Sequence, residues 1–301
     1  MVDYDGIIEL ELSSLCNAKC SDCMRTRLDN ANKFYEKKNI TLKELEDWFY
    51  DLDLENTKIK LCGVLGDPMI NPELDEILFY LLYEKKTKNI EMSTNGGTRT
   101  ENFWKELGTL SKNSNERFII HWSIDGATRN DYRENVNLDR VWNNIRAYHS
   151  TGGNSIWQYI IFDYNEDTQL DAYKLAKDNG IRLQLLENNK DVDGNNIKLN
   201  YNLTSEVVPR CLNKTTPMYY AAGGHILPCC WLDSHKEEVK ELYDPTLTLN
   251  KNSIKEIINS NIWKEFNNKI KTDPYTICRK RCGINHSQQD AKMKRTFLNA
   301  K

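Results

Sequence analysis

Over its first 190 residues the chain alternates between two kinds of segment, and this alternation restricts the fold more than any other feature. Short β-rich runs occur at 7–12, 57–62, 88–93, 117–124, 156–162 and 181–186. Between them, at 41–54, 72–84, 101–111, 138–149 and 167–178, apolar residues recur at helical spacing. A helix between successive strands predicts parallel strands joined by right-handed crossovers. Asn71-Pro72 offers a helix start and Asn179-Gly180 a stop. The expected class is α/β. Six repeats suit a partial barrel or an open doubly wound sheet, and the pattern alone favours neither.

Residues 187–204 are polar and read as a connection, which places a boundary near residue 200. Beyond it the pattern changes. Residues 215–233 read as a hairpin turning at Gly223-Gly224, and 253–270 have helical periodicity. A cysteine pair and a basic tail follow.

The 301 residues carry a net charge of −3, so a broad nucleic-acid-binding surface is not expected. No run of about eighteen apolar residues exists to span a membrane. The N-terminus lacks the basic stretch and apolar core of a signal peptide, so a cytoplasmic location is expected. That compartment keeps thiols reduced, yet the chain has nine cysteines. They are clustered: Cys16, Cys20 and Cys23 together, Cys62 alone, and Cys211, Cys229, Cys230, Cys278 and Cys282 in the last third. Clustering of this kind points to metal or redox chemistry.

The first group lies in the loop after the first strand, at the strand end where parallel α/β sheets carry their sites. Three thiolates at this spacing can hold three corners of an iron–sulfur cubane and leave the fourth iron open to a small molecule. A structural zinc would want a fourth ligand nearby, and none is adjacent.

Cys16, Cys20 and Cys23 form a CxxxCxxC signature that resembles the radical S-adenosylmethionine (SAM) enzymes. The resemblance implies a 4Fe–4S cluster whose open iron is chelated by SAM. It also implies reductive cleavage of SAM to a 5′-deoxyadenosyl radical that takes a hydrogen atom from a substrate. Asp22 stands where the family often has an aromatic residue. Further matches follow in the family's order. Gly66-Asp67-Pro68 is similar to the Gly-Glu-Pro segment that receives SAM's amino group, with Asp67 one methylene shorter than the usual Glu. Ser93-Thr94-Asn95-Gly96 resembles the segment beside the SAM carboxylate and ribose. Ser123-Ile124-Asp125-Gly126-Ala127-Thr128 resembles a segment of the SPASM-containing branch, and Ser123 and Asp125, two apart on a strand, are expected on one side. Asn165 matches a polar position near the ribose. Gly66, Asp67, Ser93, Asn95, Ser123, Asp125 and Asn165 are therefore the expected SAM contacts.

The second group, with its Gly-containing hairpin, helix and closing cysteine pair, resembles a SPASM-type or shorter twitch extension. The resemblance implies one auxiliary 4Fe–4S cluster on Cys211, Cys229, Cys278 and Cys282. Cys230 is expected to point away. Four thiolates in two pairs also suit zinc, with His286 in reach of Cys282. Cys62 reads as a buried core thiol. His121 could be a proton-transfer group facing the barrel interior, but a packed core histidine is the default. Arg25, Arg129 and Arg133, near loops at the expected catalytic end, could bind an anionic substrate or the SAM carboxylate, but a solvated role is the default.

The expected architecture is thus a partial (β/α)6 barrel over residues 1–200 that binds the first cluster and SAM. A SPASM/twitch-like auxiliary-cluster module over 201–301 follows it. The expected activity is a SAM-dependent radical oxidation or crosslinking of a small molecule or short peptide, fed by a flavodoxin or ferredoxin. No recognition domain precedes the first strand, which favours a small substrate or short peptide. The alternative is a non-catalytic protein whose cysteines bind zinc or iron–sulfur for stability alone.

Overall fold

The computed structural model describes residues 2–3, 6–187, 207, 209–212, 217–282 and 296–298. The connection at 188–204, the boundary near 200, His286 and the basic tail at 292–295 lie outside the described residues.

Strands form at each β-rich run: β1 (Ile7–Leu10), β2 (Lys58–Leu61), β3 (Asn89–Thr94), β4 (Phe118–Ser123), β5 (Ser155–Ile161) and β6 (Arg182–Glu187). They pair in chain order, and every pairing is parallel. A doubly wound sheet reverses its strand order at a switch point. This order has no reversal, so the sheet is wound in one direction. Later segments extend both edges. β7 (Met218–Tyr220) pairs in parallel with β1 and turns back into β8 (Ile226–Leu227), while β9 (Thr296–Leu298) runs antiparallel to β6. The hairpin turn contains Gly224 at φ +85°, a conformation that favours glycine.

The α-helices of six residues or more are α1 (Met24–Asn30), α2 (Leu42–Trp48), α3 (Leu74–Phe79), α4 (Glu101–Asn113), α5 (Leu138–Ser150), α6 (Gln169–Asp178), α7 (Ile254–Asn259), α8 (Asn261–Thr272) and α9 (Thr276–Cys282). Local chemistry sets their starts. Thr41 and Ser253 form capping boxes with Glu44 and Glu256, and Thr100 and Asn137 cap α4 and α5. Three details depart from the sequence reading. α1 was not anticipated from periodicity. The helix expected at 253–270 breaks at Ser260, whose extended backbone ends α7 while its hydroxyl caps α8. α3 begins at Leu74 rather than at Pro72; Asn71 still accepts the Glu73 N–H on Oδ1 at 2.9 Å and also has a second task. Its buried amide donates to the carbonyls of Leu12 at 2.9 Å and Ile40 at 2.7 Å.

Side chains alternate across the strands. Ile8, Leu10, Ile59, Leu61, Ile90 and Met92 are fully buried on one face. Glu9, Lys60, Glu91, Ser93, His121 and Ser123 share the other, half-buried face. Burial holds the His121 imidazole below its ordinary pKa, with Glu91, Lys58, Lys60 and Arg182 as charged neighbours. On the apolar side Trp122 of β4 packs on Trp104 of α4 at a centroid distance of 4.8 Å and on Tyr148 of α5 at 5.8 Å. Trp122→Ala should therefore cost about 3–5 kcal/mol of stability, read by denaturant unfolding.

Glu11, just beyond β1, ties the C-terminal hairpin to this sheet. Its carboxyl accepts the Leu65 N–H at 2.8 Å and the Ala222 N–H at 3.4 Å. Burial, reinforced by the nearby Asp233 charge, raises its pKa from 4.5 to about 7. The protonated form is thus favoured in the fold. Its contribution is complete below the unfolded-state value and is lost as pH rises through about 7. The melting temperature should fall between about pH 5 and about pH 8, and Glu11→Gln should flatten that slope.

Candidate functional site

The parallel strands bring five separate loops to one end of the sheet. The cysteine loop leaves β1 through two buried serines. Ser14 Oγ donates to the Glu36 carbonyl at 2.7 Å and accepts the Lys38 N–H at 2.8 Å, which pins the loop against residues 36–38. Cys23 then begins α1, its carbonyl accepting the Arg27 N–H at 3.0 Å.

The loop after β2 docks on this one through backbone. The Asp67 N–H donates to the Leu15 carbonyl at 2.9 Å. Gly66 packs so closely that a Cβ there would sit 1.8 Å from the Ser13 carbonyl oxygen, so only glycine fits. The buried Asp67 carboxylate accepts the Met69 N–H at 3.0 Å on one oxygen. The other accepts the Thr94 hydroxyl at 3.0 Å, the Asn95 N–H at 2.9 Å and the Asn95 amide at 2.7 Å. Asn95 in turn donates to Asn17 Oδ1 at 2.9 Å and to Cys16 Sγ at 3.6 Å. Three separate motifs thus meet at one sulfur.

Around this junction lies a cavity of about 280 Å³. Cys16, Cys20 and Cys23 line it, as do Gly66, Asp67, Ser93, Asn95 and Ser123. Asp125 and Asn165 are not among its lining residues; both are buried behind it. The Asp125 carboxylate accepts the Ile160 N–H at 3.0 Å and pairs with Arg133 Nε at 2.8 Å. Asn165 donates to the carbonyls of Asp125 and Ile160 at 2.5 and 2.9 Å and accepts the Phe162 N–H at 2.7 Å. It shapes the turn after β5.

The electrostatics single out Arg133, which lines the cavity although its sequence context suggested a solvated residue. Burial opposes its charge, but Asp125 and Cys20 outweigh that cost and raise its pKa. Arg25 is buried, donating to the Ala18 carbonyl and to Asp29 at 3.3 Å. Arg129 is exposed and paired with Asp131. Burial pushes the Cys16 thiol up to about 12, with Asp67 adding to the shift and the Ala18 N–H and Arg25 opposing it. Cys20 is raised by burial, against Arg133. Two N–H donors on Cys16 Sγ, from Ala18 at 3.4 Å and Asn95, suit a sulfur that gives up its proton to a metal.

The later cysteines also converge. Burial raises Cys211 to about 11, with Cys282 as its charged neighbour, and Cys229 to about 12, beside Cys211 and Cys282. Cys278 is raised by burial and then by Cys229, Cys211 and Cys282. Cys230 instead faces Glu9. Among the described residues no three His, Cys, Asp or Glu side chains converge tightly enough for a single metal ion. Cys62, expected in the core, lines the cavity, because β2 alternation puts it on the face shared by Lys60 and Glu9.

Comparison with known proteins agrees with this geometry. GTP 3′,8-cyclase of Aquifex aeolicus (strain VF5) is 27% identical over 188 residues, which cover 60% of this chain and 56% of that protein. The chain therefore matches little more than half of that relative. Among solved structures, Streptococcus suis SuiB bound to S-adenosylmethionine superposes with a TM-score of 0.55 at 17% identity, over 90% of this chain and 76% of that one. BtrN in complex with AdoMet and 2-DOIA gives 0.53 at 15% identity, over 99% and 100%. Native anSMEcpe with bound AdoMet gives 0.56 at 17%, over 86% and 82%. These structures share the fold. The model of the radical SAM superfamily matches residues 10–185, a span that begins in β1, ends in β6 and holds every loop of the cavity. By that match the chain belongs to the radical SAM superfamily.

Proposed function

We propose that this chain is a radical SAM enzyme that abstracts a hydrogen atom from a small molecule or short peptide, with oxidation or crosslinking as the outcome. The observation that carries the reading is the convergence of Cys16, Cys20 and Cys23 on one cavity, with Asn95 and Arg133 at its wall. Cys16, Cys20 and Cys23 would hold a 4Fe–4S cluster that, together with bound SAM, would supply the 5′-deoxyadenosyl radical. The chain's residues hold and orient that pair. Arg133, kept charged and aimed by Asp125, is the cation for the SAM carboxylate. Asp67 has both oxygens engaged by protein donors, so it acts by locking Gly66 and Asn95 in place. Ser93, Asn95 and Ser123 offer polar contacts along the cavity, while Asp125 and Asn165 shape its wall from behind.

Cys211, Cys229, Cys278 and Cys282 are assigned to one auxiliary 4Fe–4S cluster in a SPASM/twitch-like module over 201–301, following a radical SAM unit over 1–200. Their mutual electrostatic contact supports this. Peptide-bound relatives of the same fold, SuiB with the precursor peptide SuiA and anSMEcpe with a Cp18Cys peptide, support a peptide as one substrate class. Among the described residues no helix is long and apolar enough to cross a membrane, which fits a cytoplasmic enzyme reduced by a flavodoxin or ferredoxin.

Anaerobic reconstitution with iron and sulfide, then SAM and a low-potential reductant, should yield 5′-deoxyadenosine. Cluster-replete, reduced protein that makes none with candidate substrates present would sink the reading. Replacing Cys16, Cys20 and Cys23 by Ala should abolish the product. Cys278→Ala should lower bound iron by about four per chain and spare the first cluster. Arg133→Leu should weaken SAM binding roughly tenfold or more, as loss of charge-assisted hydrogen bonds worth about 1.5–3 kcal/mol each implies. Arg133→Lys should recover part of it, as measured by equilibrium dialysis.

A further inference from the structure

One thiol in the cavity has no part in the reading above. Cys62 lines the same space as Cys16, Cys20 and Cys23. Strand register places Cys62 one position beyond Leu61, which pairs with Met92 of β3, so it lies level with Ser93 on the polar face. Its S–H donates to Glu9 Oε1 at 3.1 Å. A second thiol, Cys230, meets the same carboxylate from the C-terminal segment and is an electrostatic neighbour of Cys62. Two thiols therefore share one carboxylate, and of the two Cys62 lines the cavity.

Burial, then the Glu9 charge and its hydrogen bond, drives the Cys62 thiol well above its ordinary pKa. A group held in this way is a poor nucleophile and a poor metal ligand, both of which need the thiolate. An S–H bond is, however, weaker than most C–H bonds, and a thiol kept protonated beside a carbon radical can give up its hydrogen atom.

We propose that Cys62 is a hydrogen-atom donor to carbon radicals in the cavity, with Glu9 as the positioning residue that keeps its proton in place. This inference rests on the radical SAM reading. In the step, the Cys62 S–H bond breaks homolytically and a C–H bond forms, leaving a thiyl radical at Cys62. One electron from the low-potential flavodoxin- or ferredoxin-type reductant and one proton from solvent, passed by way of Glu9, restore the thiol. Cys230, at the same carboxylate, is the nearby thiol that can share the oxidising equivalent. The donor role extends the outcome from simple abstraction to return of a hydrogen atom, which would allow inversion at a carbon centre or quenching of a rearranged radical.

The test uses the reconstituted holoprotein and two readouts. In D₂O the Cys62 thiol exchanges to S–D, so reductive turnover without substrate should release 5′-deoxyadenosine carrying one deuterium. In Cys62→Ala the labelled fraction of whatever 5′-deoxyadenosine forms should be lost, whereas in Cys230→Ala it should persist. Deuterium that persists in Cys62→Ala, or 5′-deoxyadenosine from the parent protein without deuterium, overturns the donor role. Failure of the parent to form any 5′-deoxyadenosine overturns the underlying reading instead. The second readout needs no turnover. Iodoacetamide labelling, followed by mass spectrometry of the Cys62 peptide, should be slowed by S-adenosylhomocysteine. It should be accelerated by Glu9→Gln, which removes the charge that disfavours the thiolate. Labelling indifferent to both changes places Cys62 away from the cavity and overturns the proposal.

Discussion

The cavity depends on one buried carboxylate. Asp67 accepts four hydrogen bonds, one from Met69 in its own loop and three from Thr94 and Asn95, and these fix the loop after β2 against the end of β3. A buried carboxylate is costly unless its oxygens are satisfied, and here every donor comes from a motif that lines the site. Through Asn95 the arrangement reaches Cys16 Sγ, and through the Asp67 N–H it reaches the cysteine loop at Leu15. The Gly66 backbone can approach Ser13 only because it carries no side chain. Loosening any of these contacts would move a cluster ligand.

A second buried acid organises the opposite wall. Asp125 aims Arg133 at the cavity, while Asn165 closes the turn behind it through backbone contacts. A buried charge pair is weak evidence for stability, since desolvation offsets much of the attraction. Its evident use here is geometric: it holds a cation at a fixed place beside thiols that a metal would deprotonate. A third acid, Glu11, joins the cavity loop at Leu65 to the C-terminal hairpin at Ala222.

The strand positions, the helix stop at Asn179-Gly180 and the turn at Gly223-Gly224 were all legible, because each depends on local spacing or on one residue's own geometry. The CxxxCxxC loop and the segments at Gly66, Ser93 and Ser123 were legible for the same reason: they occupy short loops at predictable strand ends. Other roles were hidden. Arg133 lies eight residues beyond Asp125 in a polar stretch, and nothing local distinguishes it from the exposed Arg129. Asn71 looked like a helix cap, and its Oδ1 does accept the Glu73 N–H, but its amide also serves the carbonyls of two distant segments. Cys62 looked like core because its strand is apolar on average, whereas its side of the strand is polar.

The sequence by itself determined the alternating α/β order, the trio of cysteines and the family to which they belong. These are properties of neighbours along the chain, where hydrophobic period and motif spacing act directly. The tertiary structure decided the single direction of winding, the placement of Arg133 at the cavity wall, the burial of Arg25, and the meeting of Cys62 and Cys230 at Glu9. Each depends on which distant strands become neighbours. Such pairings follow from the free energy of the whole sheet, so no stretch of sequence states them alone.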